Sequence, residues 1–186
     1  ETPFQYNPER GFVSSANQHP TDESYPYYYS SGEFEYNRNR RINDVLSSRE
    51  KHSIADMMKL QGDNYNYTAA MVLPKLLEIA HASGIKNKWL DYLNTWNYMY
   101  EADSKEAVIF DTWWAEIQSL LWDELTDKKA ILSPPDQYIA ASMIANNQEN
   151  SWIDYRGTSD KVEKMEDIVR MSMDSLNIAL NAFERS

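Results

Sequence analysis

The sequence predicts a mainly α-helical protein of about six or seven helices, entered through an extended N-terminal arm. Three observations predict this. Beyond residue 38 apolar residues recur with the period of about 3.6 that marks a helix face. Strand-type alternation is nearly absent there. The chain holds only five glycines, and four of its seven prolines fall within residues 1–37. The organisation reads accordingly as an arm over residues 1–37 and a helical domain over residues 38–186.

The arm carries Pro3, Pro8, Pro20 and Pro26, and the run Tyr25-Pro26-Tyr27-Tyr28-Tyr29. Each proline biases the residue before it toward extended backbone, so turns are expected at Asn7-Pro8 and His19-Pro20. Gly11 to Ser15 reads as one short strand. An arm so rich in tyrosine is expected to lie against something.

In the helical domain, Ile42, Val45 and Leu46 mark a first helix. Ser53 followed by Asp56 reads as the start of a second, and Gly62 as its stop. Thr68 to His81 forms a third, ended by Gly84; Pro74 inside it either kinks it or opens a new helix. A helix over about Lys86–Trp96 follows. Asp103 with Glu106 reads as the cap of a longer one, with Val108, Ile109, Trp113, Ile117, Leu120 and Leu121 on its apolar stripe. Ser133-Pro134-Pro135 opens another, since proline suits a first turn. Thr158 or Ser159 caps the last, which runs from Val162 through Ile168, Val169, Leu176 and Ile178 to Phe183.

Composition limits the function classes. Eighteen basic residues against 29 acidic give a net charge of −11, which argues against a nucleic-acid or anionic-membrane partner. Thirteen tyrosines and six tryptophans supply material for a core. With no cysteine, disulfides, thiolate nucleophiles and cysteine metal sites are excluded. No apolar run approaches the ~20 residues of a membrane span. No leader is visible at Glu1, which suits a cytosolic protein or a piece whose leader lies elsewhere.

No self-sufficient active site can be assembled from local motifs. His19, His52 and His81 lie far apart in sequence, without HExxH spacing or an EF-hand loop, and read as surface or interface residues. There is no glycine-rich phosphate loop, and no serine sits in a G-x-S-x-G elbow. Ser14, Ser15, Ser30 and Ser31 read as strand and turn residues. Glu1 cannot act as a hydroxyl nucleophile paired with its own amine. The carboxylate pairs Asp22/Glu23 and Glu163/Glu166 read as solvated surface. Trp113 and Trp114 point about 100° apart on a helix, which suits core packing for one and an interface for the other.

One stretch carries more than its composition. It begins Asn7-Pro8-Glu9-Arg10-Gly11-Phe12-Val13-Ser14-Ser15-Ala16-Asn17-Gln18. Tyr36-Asn37-Arg38-Asn39-Arg40-Arg41-Ile42 follows, then Ser53-Ile54-Ala55-Asp56 and Leu60-Gln61-Gly62-Asp63, and the block closes with Leu73-Pro74-Lys75-Leu76-Leu77. In this order the residues resemble the β-chain of the penicillin acylase (penicillin amidase) family of N-terminal-nucleophile hydrolases. The resemblance is strong over residues 7–80 and weaker through Trp89, Trp113-Trp114 and residues 158–186.

The resemblance implies a precursor that cleaves itself into α and β chains. The new N-terminal serine attacks an amide with its own α-amine as base, and backbone and asparagine donors stabilise the oxyanion, each worth about 3–4 kcal/mol. It implies that this chain is an internal segment of such a β-chain. The serine and the α/β core to which the arm belongs are then expected elsewhere, and the segment alone is expected to be inactive. Carried over by position, Asn17 matches the family's oxyanion-hole asparagine, at the end of the strand that begins near Gly11. Arg38 matches the arginine opening the R-x-x-R-I pattern, with an orienting role toward Asn17 or the nucleophile's amine. Asn17-Gln18 departs from the two consecutive asparagines that members often show.

No cofactor is implied for the chemistry. The family allows a structural calcium, but the corresponding neighbourhood here is Tyr27-Tyr28-Tyr29, so no ligand can be carried over. The implied partners are the remainder of the parent enzyme and a small N-acyl substrate, such as a β-lactam or an acyl-homoserine lactone. The implied location is periplasmic or secreted. The competing expectation is a stand-alone or catalytically dead helical module whose tyrosine arm docks a partner.

Overall fold

A computed structural model of the chain describes residues 3–22, 24–28, 36–125, 132–148 and 151–183. Readings made at Glu1, Glu23, Tyr29, Ser30, Ser31 and the Phe183 side chain fall outside the described residues. Seven α-helices form among the described residues, and no strand does. The chain divides into two compact units, residues 1–67 and 68–186. The change of composition near residue 38 coincides with the start of the first helix.

The first unit contains the arm, α1 (Asn37–Ser47) and α2 (Ile54–Gln61). As expected, Ser53 and Asp56 form a reciprocal capping box at the start of α2, and Gly62 ends it. Gly11 to Ser15 is not a strand. Gly11 takes φ +77° in a turn whose N–H bonds to the Pro8 carbonyl, and residues 12–15 run without a ladder. The reason is where the hydrogen bonds go. Side chains of Arg10 and Gln18 take up the Phe12 and Ser14 carbonyls, where a neighbouring strand would.

The second unit holds α3 from Thr68 onward (the helix spans Tyr67–Ala82), α4 (Lys88–Leu93), α5 (Lys105–Leu121), α6 (Gln137–Ala145) and α7 (Met165–Phe183). A short 3-10 turn, Ser151–Ile153, precedes α7. The central helix is α5. It packs most extensively on α7, and also on α4, α6 and the 3-10 turn. Its buried face is Ile109, Phe110, Trp113, Trp114, Ile117 and Leu121. Facing residues on α7 are Ile168, Val169, Ser172, Met173, Leu176 and Leu180. At the crossing the Trp113 indole Nε1 donates to the Ser172 hydroxyl at 2.8 Å, and that hydroxyl donates to the Val169 carbonyl.

Several element starts move from where the sequence places them, each for a local reason. Pro74 lies inside one continuous α3, on its exposed side, where the carbonyl left without a partner can be solvated. Gly84, at φ +65°, closes α3 in a Schellman motif: Ile85 N–H reaches the Ala80 carbonyl and Gly84 N–H that of His81. α4 is shorter than predicted because the Asn87 side chain caps it at Trp89 N–H. Ser104, not Asp103, caps α5. Asp136 caps α6, so Pro134 and Pro135 stand outside the helix. Thr158 cannot cap α7, because its hydroxyl is committed to the Glu163 carboxylate; α7 starts at Met165, with Asp167 accepting from the Lys164 N–H.

Burial corrects other readings. Trp114 is buried like Trp113 and stacks on Phe110, so neither faces an interface within the unit. Val108 and Ile178 point outward, 55% and 76% exposed. Glu163 is not surface: it is 3% exposed. Burial pushes its pKa up, but the Thr158 hydroxyl and the Tyr155 N–H outweigh this and hold it below the ordinary glutamate value. This carboxylate organises the loop that leads into α7.

Replacing Ser172 by alanine strands the Trp113 N–H in the core. The expected cost is about 1–3 kcal/mol of unfolding free energy, read as a lower urea midpoint with an unchanged slope. A midpoint equal to wild type would show that the bond contributes nothing.

Candidate functional site

The first unit brings Asn17 and Arg38 together. Residues 14–18 form a tight turn clipped by Gln18, whose Oε1 accepts from Ala16 N–H at 2.7 Å and whose Nε2 donates to the Ser14 carbonyl at 3.3 Å. Asn17 takes φ +61°, a left-handed conformation that asparagine tolerates better than most residues. Arg38 stands in the first turn of α1. Its Nη2 donates to Asn17 Oδ1 at 2.7 Å. A guanidinium only donates, so it fixes which end of the amide faces it. The Asn17 NH2 therefore points away from Arg38, and it makes no hydrogen bond among the described residues.

Three further side chains lock the turn to α1. Asn39 Nδ2 donates to Ser14 Oγ at 3.3 Å, Ser14 Oγ donates to Asn43 Oδ1 at 2.8 Å, and Asn43 Nδ2 donates to Asn39 Oδ1 at 2.8 Å. The three form a closed ring. Arg10 Nη1 also donates to Asn43 Oδ1, at 3.2 Å. Arg10 is held in turn by Gln5 and by the Phe12 carbonyl and ring. Asn39, at 9% exposure, is the only buried residue described among positions 3–67.

A second lock joins the middle of α1 to the residue just past the stop of α2. Arg41 meets Asp63 in a two-pronged pair, Nε to Oδ1 at 2.9 Å and Nη2 to Oδ2 at 2.7 Å. Its guanidinium also lies over the Tyr65 ring, 4.2 Å from the centroid. The Arg41 hydrogen bonds hold the Asp63 carboxyl below the usual aspartate range, against burial, with help from the Tyr65 N–H; the pairing raises Arg41 in turn.

Each histidine is placed locally. His19 bonds within its own turn to Thr21, His52 to the Leu46 carbonyl, and His81 is exposed on α3. Among the described residues no group of three or more histidine or carboxylate side chains is placed to hold a metal ion. No helix among them is long and apolar enough to cross a membrane.

The sequence model of the penicillin amidase family matches residues 1–183. The chain belongs to the penicillin amidase family. Membership supports an amidohydrolase-like role for the protein. In this family member, the two site residues carried over by resemblance lie in hydrogen-bond contact, 21 positions apart in sequence. Sequence reasoning missed Ser14, Asn39 and Asn43, which surround them. One signal was available: Asn39 and Asn43 stand four apart on a helix, a spacing at which amides meet.

Asp63 yields a pH prediction. Its folded pKa lies below the unfolded value of about 3.9. Its contribution to stability is therefore complete above that value and is lost as pH falls through the lower folded pKa. Asp63→Asn should cost about 1–2 kcal/mol at pH 7. The difference from wild type should shrink as pH drops below about 4. Denaturant unfolding across that range checks this, and a pH-independent difference would contradict the paired state.

Proposed function

We propose that Asn17 is an oxyanion-hole donor in an amidohydrolase that cleaves the carbon–nitrogen bond of a linear amide. The observation that carries this is the Arg38–Asn17 bond. It aims the neutral NH2 of Asn17 outward as a donor and leaves the charge on the other side of the amide. Such a donor stabilises the negative charge that develops on the carbonyl oxygen as the tetrahedral intermediate forms, without supplying a proton. Arg38 acts through Asn17 as a positioning residue. The nucleophile in this reading is the N-terminal serine of the family resemblance, outside these 186 residues, attacking to form an acyl-enzyme. The segment by itself then lacks turnover.

The arm fits the same reading. Phe4, Tyr6, Tyr27 and Tyr28 are exposed. We assign their partner as the remainder of the parent enzyme, on which these exposed aromatic side chains would be covered. The substrate is a small N-acyl compound, and a periplasmic or secreted location accompanies the family resemblance.

The decisive variant is Asn17→Gly in the full-length protein. Glycine accepts φ +61° without strain, so only the amide is lost. The expected result is a fall in kcat of about 10²–10³-fold with KM little changed. Intact mass should show two chains, the second beginning with serine. An unchanged kcat removes Asn17 from the chemistry, and an unsplit chain without an N-terminal serine favours a helical binding module.

A further inference from the structure

We propose that Ser14, Asn39 and Asn43 are positioning residues for the amide-cleaving site. Their hydrogen-bond ring, set in one direction by Arg10, holds the turn carrying Asn17 against the helix carrying Arg38. This rests on the reading of Asn17 as an oxyanion donor.

The direction of the ring follows from donor and acceptor inventory. Arg10 has no acceptor, so Asn43 must turn its Oδ1 toward it. The Asn43 NH2 then faces Asn39, which must present Oδ1. The Asn39 NH2 is thereby aimed at Ser14 Oγ, and the Ser14 hydroxyl is left to donate to Asn43. No amide in the ring can flip without setting two donors face to face. One charged residue thus fixes the orientation of three neutral ones.

The ring spans the two pieces that must stay in register. Ser14 lies three residues before Asn17, within the turn that Gln18 clips. Asn39 follows Arg38 in the first turn of α1. A donor works on a developing oxyanion only at hydrogen-bond distance, so drift between turn and helix would move it out of range. Asn39 alone is buried among the described residues of this unit, and an apolar residue there would pack but not aim.

A merely structural ring would lower stability and leave turnover per folded enzyme unchanged. The test is therefore kinetic, in the full-length parent enzyme with a chromogenic anilide that it cleaves. Ser14→Ala should lower kcat about tenfold with KM within about twofold. Ser14→Thr, which keeps the hydroxyl, should recover most of this. In the Asn17→Gly background Ser14→Ala should cost less than about twofold, because the group it positions is gone. An undiminished Ser14→Ala effect in that background overturns the proposal, as does an unchanged kcat or a threonine no better than alanine. If Ser14→Ala gives no folded enzyme, Asn43→Asp replaces it under the same kinetic criteria: it still accepts from Arg10 and Ser14 but cannot donate to Asn39. If Asn17→Gly itself leaves kcat intact, or the parent cleaves no anilide, the oxyanion reading fails first and the ring proposal falls with it.

Discussion

The second unit depends on one directional bond, from the Trp113 indole to the Ser172 hydroxyl where α5 crosses α7. Apolar contact sets which face of each helix turns inward but discriminates weakly between small displacements of that face, because the hydrophobic effect has no direction. A buried N–H does not share that tolerance, since leaving it unpaired costs about 1–3 kcal/mol. Trp113 is the largest fully buried side chain, and one rotation of α7 offers it an acceptor. That rotation also turns Ile168, Val169, Leu176 and Leu180 inward. The buried N–H groups of Trp89, Trp114 and Trp122 have no partner among the described residues, so they fill space without setting register.

The first unit works on the opposite principle. It has no buried apolar residue among those described. Its geometry comes from named polar partners: the Ser14–Asn39–Asn43 ring, the Arg38–Asn17 bond and the Arg41–Asp63 pair. α2 is well capped but buries nothing, and Ile54, Met57 and Met58 are exposed along its side. Of the polar contacts, the Arg38–Asn17 bond is exposed, where a polar pair contributes little to stability, and the other two are partly buried. A unit of this kind is specified in shape by its polar partners, without an apolar core among its described residues.

Much of this was legible in the sequence, and the failures share a cause. Helical periodicity located the long helices, because the stripes on α5 and α7 are cores against each other. Boundaries moved wherever a side chain competed for a backbone N–H: Asn87 shortened α4, and Asp136 left two prolines outside α6. Glu163 reads as surface in any window of sequence, yet it is buried because Thr158 and Tyr155 fold back on it. Ser172, a serine on an otherwise apolar stripe, went unread, because its hydroxyl can also bond its own helix, as it does at Val169. That Arg38 orients Asn17, or else the nucleophile's amine, was an expectation from family resemblance alone. Nothing in local pattern predicts a bond across 21 residues.

The oxyanion role proposed for Asn17 is one that a polar frame suits better than an apolar one. A core of leucines would hold residues 14–18 as firmly, but it could not choose which end of an amide faces outward. Oxygen and nitrogen of an asparagine side chain have nearly the same size, so packing does not distinguish them. Only a partner with fixed donor character does, and the chain supplies two such partners. Arg38 sorts Asn17 directly, and Arg10 sorts Asn43 and, through it, Asn39 and Ser14. Both partners are guanidiniums, which carry donors and no acceptor, so each can sort an amide in one direction only. Direction, more than firmness, is what the proposed oxyanion donor needs, and the arginine-sorted amides around Asn17 supply it.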